Sequence, residues 1–295
     1  RIKYFIFERK TMIDFSQTPE INTTAVERRV KEIIKPDLTC FSDMELYKFI
    51  LSSIDLTSLE GSDTSAKIVD VCNKAKSFHE KHATIPNVAA VCVYPTLVHI
   101  VKKELKNTGI KTASVAGAFP SGQSPLPIKL SEVRYAIDEG ADEIDMVISR
   151  GKLLEGNYHA VFDEISAIKD ICKSIHLKVI LETGELESLT HVRRASEIAM
   201  HAGADFLKTS TGKISRAATP EAMLTMLDAI NEYYLKTNKK VGIKPAGGIS
   251  EPADAINYVK LIYAVLGNTW LNNSLFRIGA SRLADNVMNE IVKGI

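Results

Sequence analysis

The strongest constraint in this chain is a rhythm. From about residue 50, short apolar runs closed by Gly, Pro, Ser or Thr alternate with longer segments of helical periodicity. The strand-like runs are SSIDLT (52–57), NVAAVCVYP (87–95), TASVAGAFP (112–120) and ADEIDMVIS (141–149), followed by LKVILETG (177–184), ADFLKTSTG (204–212), KVGIKPAGG (240–248) and LFRIGAS (275–281). Between them lie helical stretches such as AKIVDVCNKAKSFHEKH and YHAVFDEISAIKDICKSI. Strands alternating with helices build parallel βαβ units. A count of eight favours a closed (βα)8 TIM barrel over a doubly wound sheet, and such barrels commonly run to ~250 residues as one unit. No linker or low-complexity break interrupts the rhythm, so residues 49–295 are expected to form the barrel domain. Residues 1–48 are polar and irregular, apart from TAVERRVKEII and SDMELYKFIL, and are expected to form an N-terminal helical extension.

An internal echo supports repeated β/α units: EGADEIDM and AGADFLKT share G-A-D and lie 63 residues apart. In both, the fifth residue after the glycine is ionisable, Asp145 in one and Lys208 in the other.

Composition narrows the function. The chain carries 45% apolar and 25% charged residues with a net charge of +1, without the basic excess of a nucleic-acid or membrane-surface protein. No apolar run approaches the ~20 residues of a membrane span. The opening RIKYFIFERK has too short an apolar core for a signal peptide, and the missing initial Met is expected of either a processed or an engineered form. Cys40, Cys72, Cys92 and Cys172 show no C-x-x-C pairing, which favours a reducing, cytoplasmic compartment.

Two lysines stand out against the barrel pattern. Lys208 in DFLKTSTGK and Lys244 in VGIKPAGG each follow an apolar stretch inside a strand run. Neither face of a barrel strand is expected to tolerate a charge in mid-strand, so Asp145, Lys208 and Lys244 are expected late in their strands, at the open C-terminal mouth. Strands 6 and 7 are neighbours ~4.8 Å apart, which brings the two ammonium groups close. Lowering one lysine from about 10.4 to about 7 takes ~4.6 kcal/mol, and burial beside a like charge can supply it. A neutral lysine attacks carbonyls to give a Schiff base, and Asp145 would transfer protons. The alternative is a purely structural ion-pair cluster. Glycines after strands 6, 7 and 8, in Thr211-Gly212-Lys213, Gly247-Gly248 and Gly279-Ala280-Ser281, suit an anion held by backbone N–H groups.

With these residues assembled, the chain resembles the deoxyribose-phosphate aldolase family. The resemblance covers roughly residues 50–290 and rests on DLTSL, VAAVCVYP, GAFPSGQ, GADEIDMVI, ETGEL, DFLKTSTGK, VGIKPAGGI and FRIGAS. It implies a class I aldolase on a (βα)8 barrel, needing no metal or other cofactor. Such an enzyme cleaves 2-deoxy-D-ribose 5-phosphate reversibly to acetaldehyde and D-glyceraldehyde 3-phosphate in deoxyribonucleoside catabolism. By resemblance, Lys208 matches the Schiff-base lysine, Lys244 the lysine that depresses its pKa, and Asp145 the carboxylate that moves protons through a water. Gly212, Lys213, Gly247, Gly248, Gly279 and Ser281 match the phosphate cradle, and Asp55 and Thr57 match positions near the substrate hydroxyls. The implied partner is a small sugar phosphate, with no nucleic acid or membrane and with a homodimer left open.

Two departures accompany the resemblance. Ser250 stands where family members often carry a basic residue, and Arg282 is a candidate replacement. Members also often extend to a C-terminal tyrosine, whereas this sequence ends at Lys293-Gly294-Ile295. Either a tail is absent from the sequence or proton transfer has less support.

A metal-dependent aldolase would need His or acidic ligands at strand ends. The seven histidines, His79, His82, His99, His159, His176, His191 and His201, instead fall in or beside helical segments. Other Schiff-base barrels share one lysine but not this pair, and a catalytically dead sugar-phosphate sensor would not form a reducible imine. Cys92 reads as barrel filling, Glu182 as either a lysine partner or a helix cap, and SPLPIK (124–129) as a stiff loop.

Overall fold

A computed structural model describes residues 13–294. The opening stretch RIKYFIFERK and the final Ile295 lie outside the described residues. Two helices come first, α1 (Thr23–Ile34) and α2 (Asp43–Ser52). The alternation that follows is β1 (Ile54–Thr57), α3 (Ser65–Lys81), β2 (Ala90–Val93), α4 (Val98–Glu104), β3 (Lys111–Ala116), α5 (Leu126–Asp138) and β4 (Glu143–Val147). It continues with α6 (Arg150–Leu154), α7 (Tyr158–Cys172), β5 (His176–Ile180), α8 (Leu189–His201), β6 (Phe206–Lys208) and α9 (Pro220–Thr237). The last elements are β7 (Gly242–Lys244), α10 (Pro252–Leu266), β8 (Ile278–Ala280) and α11 (Leu283–Lys293).

All eight expected strands are present, each shorter than its apolar run because the run extends into the flanking helix or loop. They form one parallel sheet in the order β7-β6-β5-β4-β3-β2-β1-β8. Parallel bridges Ile243–Phe276 and Ala246–Gly279 join β7 to β8 and complete the (βα)8 barrel.

Strand alternation divides the interior from the helical layer. Ile54, Leu56, Val91, Val93, Ile144, Met146, Leu177, Val179, Leu207 and Ile243 belong to one large apolar cluster shared with the surrounding helices. The opposite parity points inward. On β2 and β3 it supplies a small, separate cluster of Ala90, Cys92, Ala113 and Val115 with Leu59. On β1 and on β4 to β7 it supplies charges, and Arg277, just before β8, adds another. The barrel therefore has one small-residue wall and one ionic wall.

The G-A-D echo is a repeated device for joining helix to strand. Gly140 and Gly203 both take positive φ (104° and 99°), as a helix C-terminus favours. The aspartates that follow accept backbone N–H bonds from the preceding strand, Thr112 to Asp142 at 2.9 Å and Leu177 to Asp205 at 2.7 Å. Each also pairs with a helix lysine, Lys102 and Lys169 respectively, at 2.6 Å.

The first two helices lie on the barrel. Arg29 of α1 forms a bidentate pair with Asp228 of α9, and the Ile34 carbonyl accepts from Lys260 of α10. Helix α2 starts with a capping box in which Ser42 and Glu45 each accept the other's backbone N–H. SPLPIK proves to be largely helical. Pro125 is the N-cap of α5, and Pro127 occupies its first turn, where a missing N–H costs nothing. Lys129 is buried there, donating to Glu164 at 2.7 Å and to Ser149 at 2.8 Å.

Candidate active site

At the C-terminal mouth a cavity of ≈520 Å³ opens between the loops after β1, β6, β7 and β8. Thr57, Lys208, Gly212, Lys213, Gly247, Gly248, Gly279 and Ser281 line it, so these eight sequence candidates converge. Its rim also carries Arg282, beside Ser250, and Lys67 and Lys74 from α3. Sequence reasoning passed over those two lysines because a lysine on a helix ordinarily reads as solvated.

The remaining three candidates lie beneath the cavity. Asp55, Asp145 and Lys244 have no solvent exposure and do not line it. Lys208 is 3% exposed and forms its floor. In register, Lys208 sits opposite Lys244, both at the last residue of their strands. Asp145 is central in β4 rather than late in it. Its Oδ2 accepts from Lys208 Nζ at 2.8 Å and from Lys244 Nζ at 2.7 Å. The contact between Asp145 and Lys208 is thus direct. Lys244 also donates to Asp55, so Asp55 supports Lys244 from below instead of facing the cavity.

The expectation that no mid-strand charge survives inside the barrel is overturned. Lys178 on β5 is fully buried and donates to Glu143 at 2.5 Å and to Asp145 at 3.0 Å. Arg277, just before β8, binds Asp55 at 2.7 Å and Glu143 at 2.8 Å. These charges are tolerated because each is paired; leaving one unpaired would cost several kcal/mol, roughly 3–5. The signal that singled out Lys208, a charge inside an apolar run, was present at Lys178 as well. Glu143 shares the inward parity of Asp145, two residues away.

Electrostatics separates Lys208 from the other lysines. Burial is the main cause pushing its amine below the ordinary lysine range. Asp145 opposes that shift and Lys244 adds to it. Burial thus outranks the neighbouring cation as the cause. Burial also opposes the charges on Lys244 and Lys178, but Asp145 with Asp55, and Asp145 with Glu143, outweigh it and hold both above their ordinary value. Burial likewise opposes ionisation of Asp145, and Lys178, Lys208 and Lys244 overcome it, leaving the carboxyl well below the usual range.

Glycine is required at two points of the cradle. Gly212 and Gly247 both take positive φ (77° and 84°) and pack backbone to backbone. A Cβ on Gly247 would stand 2.5 Å from Ala217 Cβ and 3.1 Å from Gly212 Cα. Glu182 stands at the N-cap of a short 3-10 turn (Thr183–Glu185), but its side chain makes no capping bond there and pairs with no lysine. Its carboxylate accepts the Thr211 N–H at 3.2 Å and the Thr211 hydroxyl at 2.5 Å, holding the loop that presents Gly212. Burial raises its pKa against those bonds.

Cys92 is barrel filling, its thiol pushed by burial up to about 11. His176 opens β5 at the opposite mouth, and the other six histidines lie on α3, α4, α7 and α8 or at their ends. Among the described residues, no group of three or more His, Cys, Asp or Glu is placed to hold a metal ion. No helix among them is long and apolar enough to cross a membrane.

The fold and the chain's relatives together define a (βα)8-barrel aldehyde-lyase. The chain belongs to the DeoC/LacD family of aldolases, whose model matches residues 49–259. Deoxyribose-phosphate aldolase of Homo sapiens is 43% identical to it, over 96% of this chain and 93% of the human protein. The Mus musculus enzyme of the same name is 41% identical with the same coverage. Among solved structures, the tetrameric deoxyribose phosphate aldolase of Aeropyrum pernix superposes with a TM-score of 0.69 at 25% identity, covering 91% of this chain and 99% of that one.

Proposed function

We propose that the protein cleaves 2-deoxy-D-ribose 5-phosphate reversibly through a Schiff base on Lys208, a step in deoxyribonucleoside breakdown. One observation carries this reading: of the interior charged side chains, Lys208 lines the upper cavity and is the lysine whose ammonium form is disfavoured. The uncharged amine attacks C1 of the open-chain aldehyde. Asp145 Oδ2, bonded to Lys208, takes the proton that the amine sheds on addition and returns it to the leaving hydroxyl, so the carbinolamine loses water and becomes an iminium. The C3 hydroxyl then passes its proton to a water, becoming the product's carbonyl as the C2–C3 bond breaks and its electron pair moves into the iminium to form an enamine, which later takes that proton back at C2. D-glyceraldehyde 3-phosphate takes C3 to C5. Protonation and hydrolysis of the enamine release C1 and C2 as acetaldehyde and restore the amine.

The substrate phosphate suits the other end of the cavity, where Gly212, Gly247, Gly248, Gly279 and Ser281 meet Lys213 and Arg282. Binding energy there positions the reacting bond over Lys208. The four cysteines are all free, which fits a reducing compartment such as the cytoplasm. Borohydride added with substrate should fix mass on Lys208, and Lys208→Leu should remove both label and activity while the barrel stays folded. An unlabelled Lys208 peptide from active protein would end the Schiff-base reading.

A further inference from the structure

The ions beneath the cavity form one connected set. Arg277 bonds Asp55 and Glu143, Glu143 bonds Lys178, Lys178 bonds Asp145, and Asp145 bonds both Lys208 and Lys244. Its carboxylates are Asp55, Glu143 and Asp145; its cations other than Lys208 are Lys178, Lys244 and Arg277. Three negative charges thus meet three positive ones, all nearly or fully buried. A proton on Lys208 would make the set cationic in a medium that solvates charge poorly.

We propose that Lys178, Glu143 and Arg277 are positioning residues that set the charge of Lys208, by completing a neutral set to which the Lys208 amine is the surplus base. This rests on the Schiff-base reading. None of the three lines the upper cavity, and Glu143 and Arg277 face a separate cavity at the N-terminal mouth. They act through Asp145 and not through substrate.

The other groups facing Lys208 are few. Strand β1 brings Asp55 behind Lys244, β2 brings the Cys92 thiol, β3 brings only Ala113 and Val115, β4 brings Asp145, and Glu182 beyond β5 is occupied with Thr211. Among the described residues, Lys178 is the one cation besides Lys244 bonded to the carboxylate that holds Lys208.

Lys178 and Lys208 bond opposite oxygens of Asp145, at 3.0 and 2.8 Å. Removing the Lys178 charge lets Lys208 keep its proton to higher pH. The acid limb of kcat/KM should move up by about one to two pH units in Lys178→Met, with roughly 10–100-fold loss at pH 7. Removing a negative charge in Glu143→Gln should move it down. The charge-balanced double variant, Lys178→Met with Glu143→Gln, should return the limb to within about half a unit of the starting protein.

The test is the pH dependence, from 5.5 to 10, of both turnover and borohydride labelling of Lys208, on variants checked by circular dichroism. If one single variant fails to fold, the other decides by the sign of its shift. Limbs that stay put in folded variants, or a double variant displaced like its parent singles, would overturn the proposal. Failure of all three to fold, the balanced one included, would also overturn it by showing a purely structural role. Labelling of Lys208 in the unaltered protein, alongside unmoved limbs, would leave the Schiff-base reading intact and remove only this one.

Discussion

Replacing Lys244 by Met tests the cation nearest the proposed nucleophile. The two ammonium nitrogens bond the same Asp145 oxygen at 2.8 and 2.7 Å. For ordinary hydrogen-bond angles that places them roughly 4.5 Å apart. At an effective dielectric near 20, two unit charges at that spacing repel by about 3.5 kcal/mol, or roughly 2.5 pKa units. Met fills much of the same volume but removes the charge, and it also leaves Asp145 and Asp55 freer to stabilise a proton on Lys208. Both effects raise the Lys208 pKa. The fraction of free amine at pH 7 should fall by up to about 300-fold, and kcat/KM with it. The sign is definite: activity should recover about tenfold per pH unit as the medium is made more alkaline, until the new pKa is passed. A coupled assay for D-glyceraldehyde 3-phosphate between pH 6 and 10 reads this, with thermal melting to confirm folding. A loss of the same size at every pH, in folded protein, would refute the reasoning; Lys244 would then matter for something other than its charge.

Two further outcomes follow from the cradle. Gly247→Ala forces a left-handed backbone onto an alanine and drives its Cβ toward Ala217 and Gly212, so KM for the phosphorylated sugar should rise at least about tenfold and stability fall by about 1–3 kcal/mol, read from saturation curves and denaturant melts. Arg282→Ala should raise KM for 2-deoxyribose 5-phosphate by up to about fivefold while leaving cleavage of unphosphorylated 2-deoxyribose unchanged, because an exposed charge contributes little more than that; an equal effect on both sugars would place Arg282 outside the phosphate end.

Much of the molecule was legible in the chain. Apolar runs closed by Gly, Pro, Ser or Thr located all eight strands, because the strand face packed against the helices carries apolar residues in every one, even where the inward face carries paired charges. Lys208 and Lys244 announced themselves as charges where apolar residues belong, and the glycines of the cradle followed from their positions after β6 and β7 and at the end of the β8 run. SPLPIK was misjudged because prolines mark loops and helix first turns alike, and only the chain after them decides which.

What the order of residues determined by itself was parity: period two tells which side chains of a strand point inward, so the inward set of β4 to β8 was already written. Tertiary structure alone decided who meets whom. Lys244 finds Asp145 99 positions away and Asp55 189 positions away, and Arg277 reaches Asp55 across 222. Closing the sheet into a barrel brings those charges together. Whether a buried ion keeps its proton depends on the sum of its neighbours, a quantity that no single segment contains.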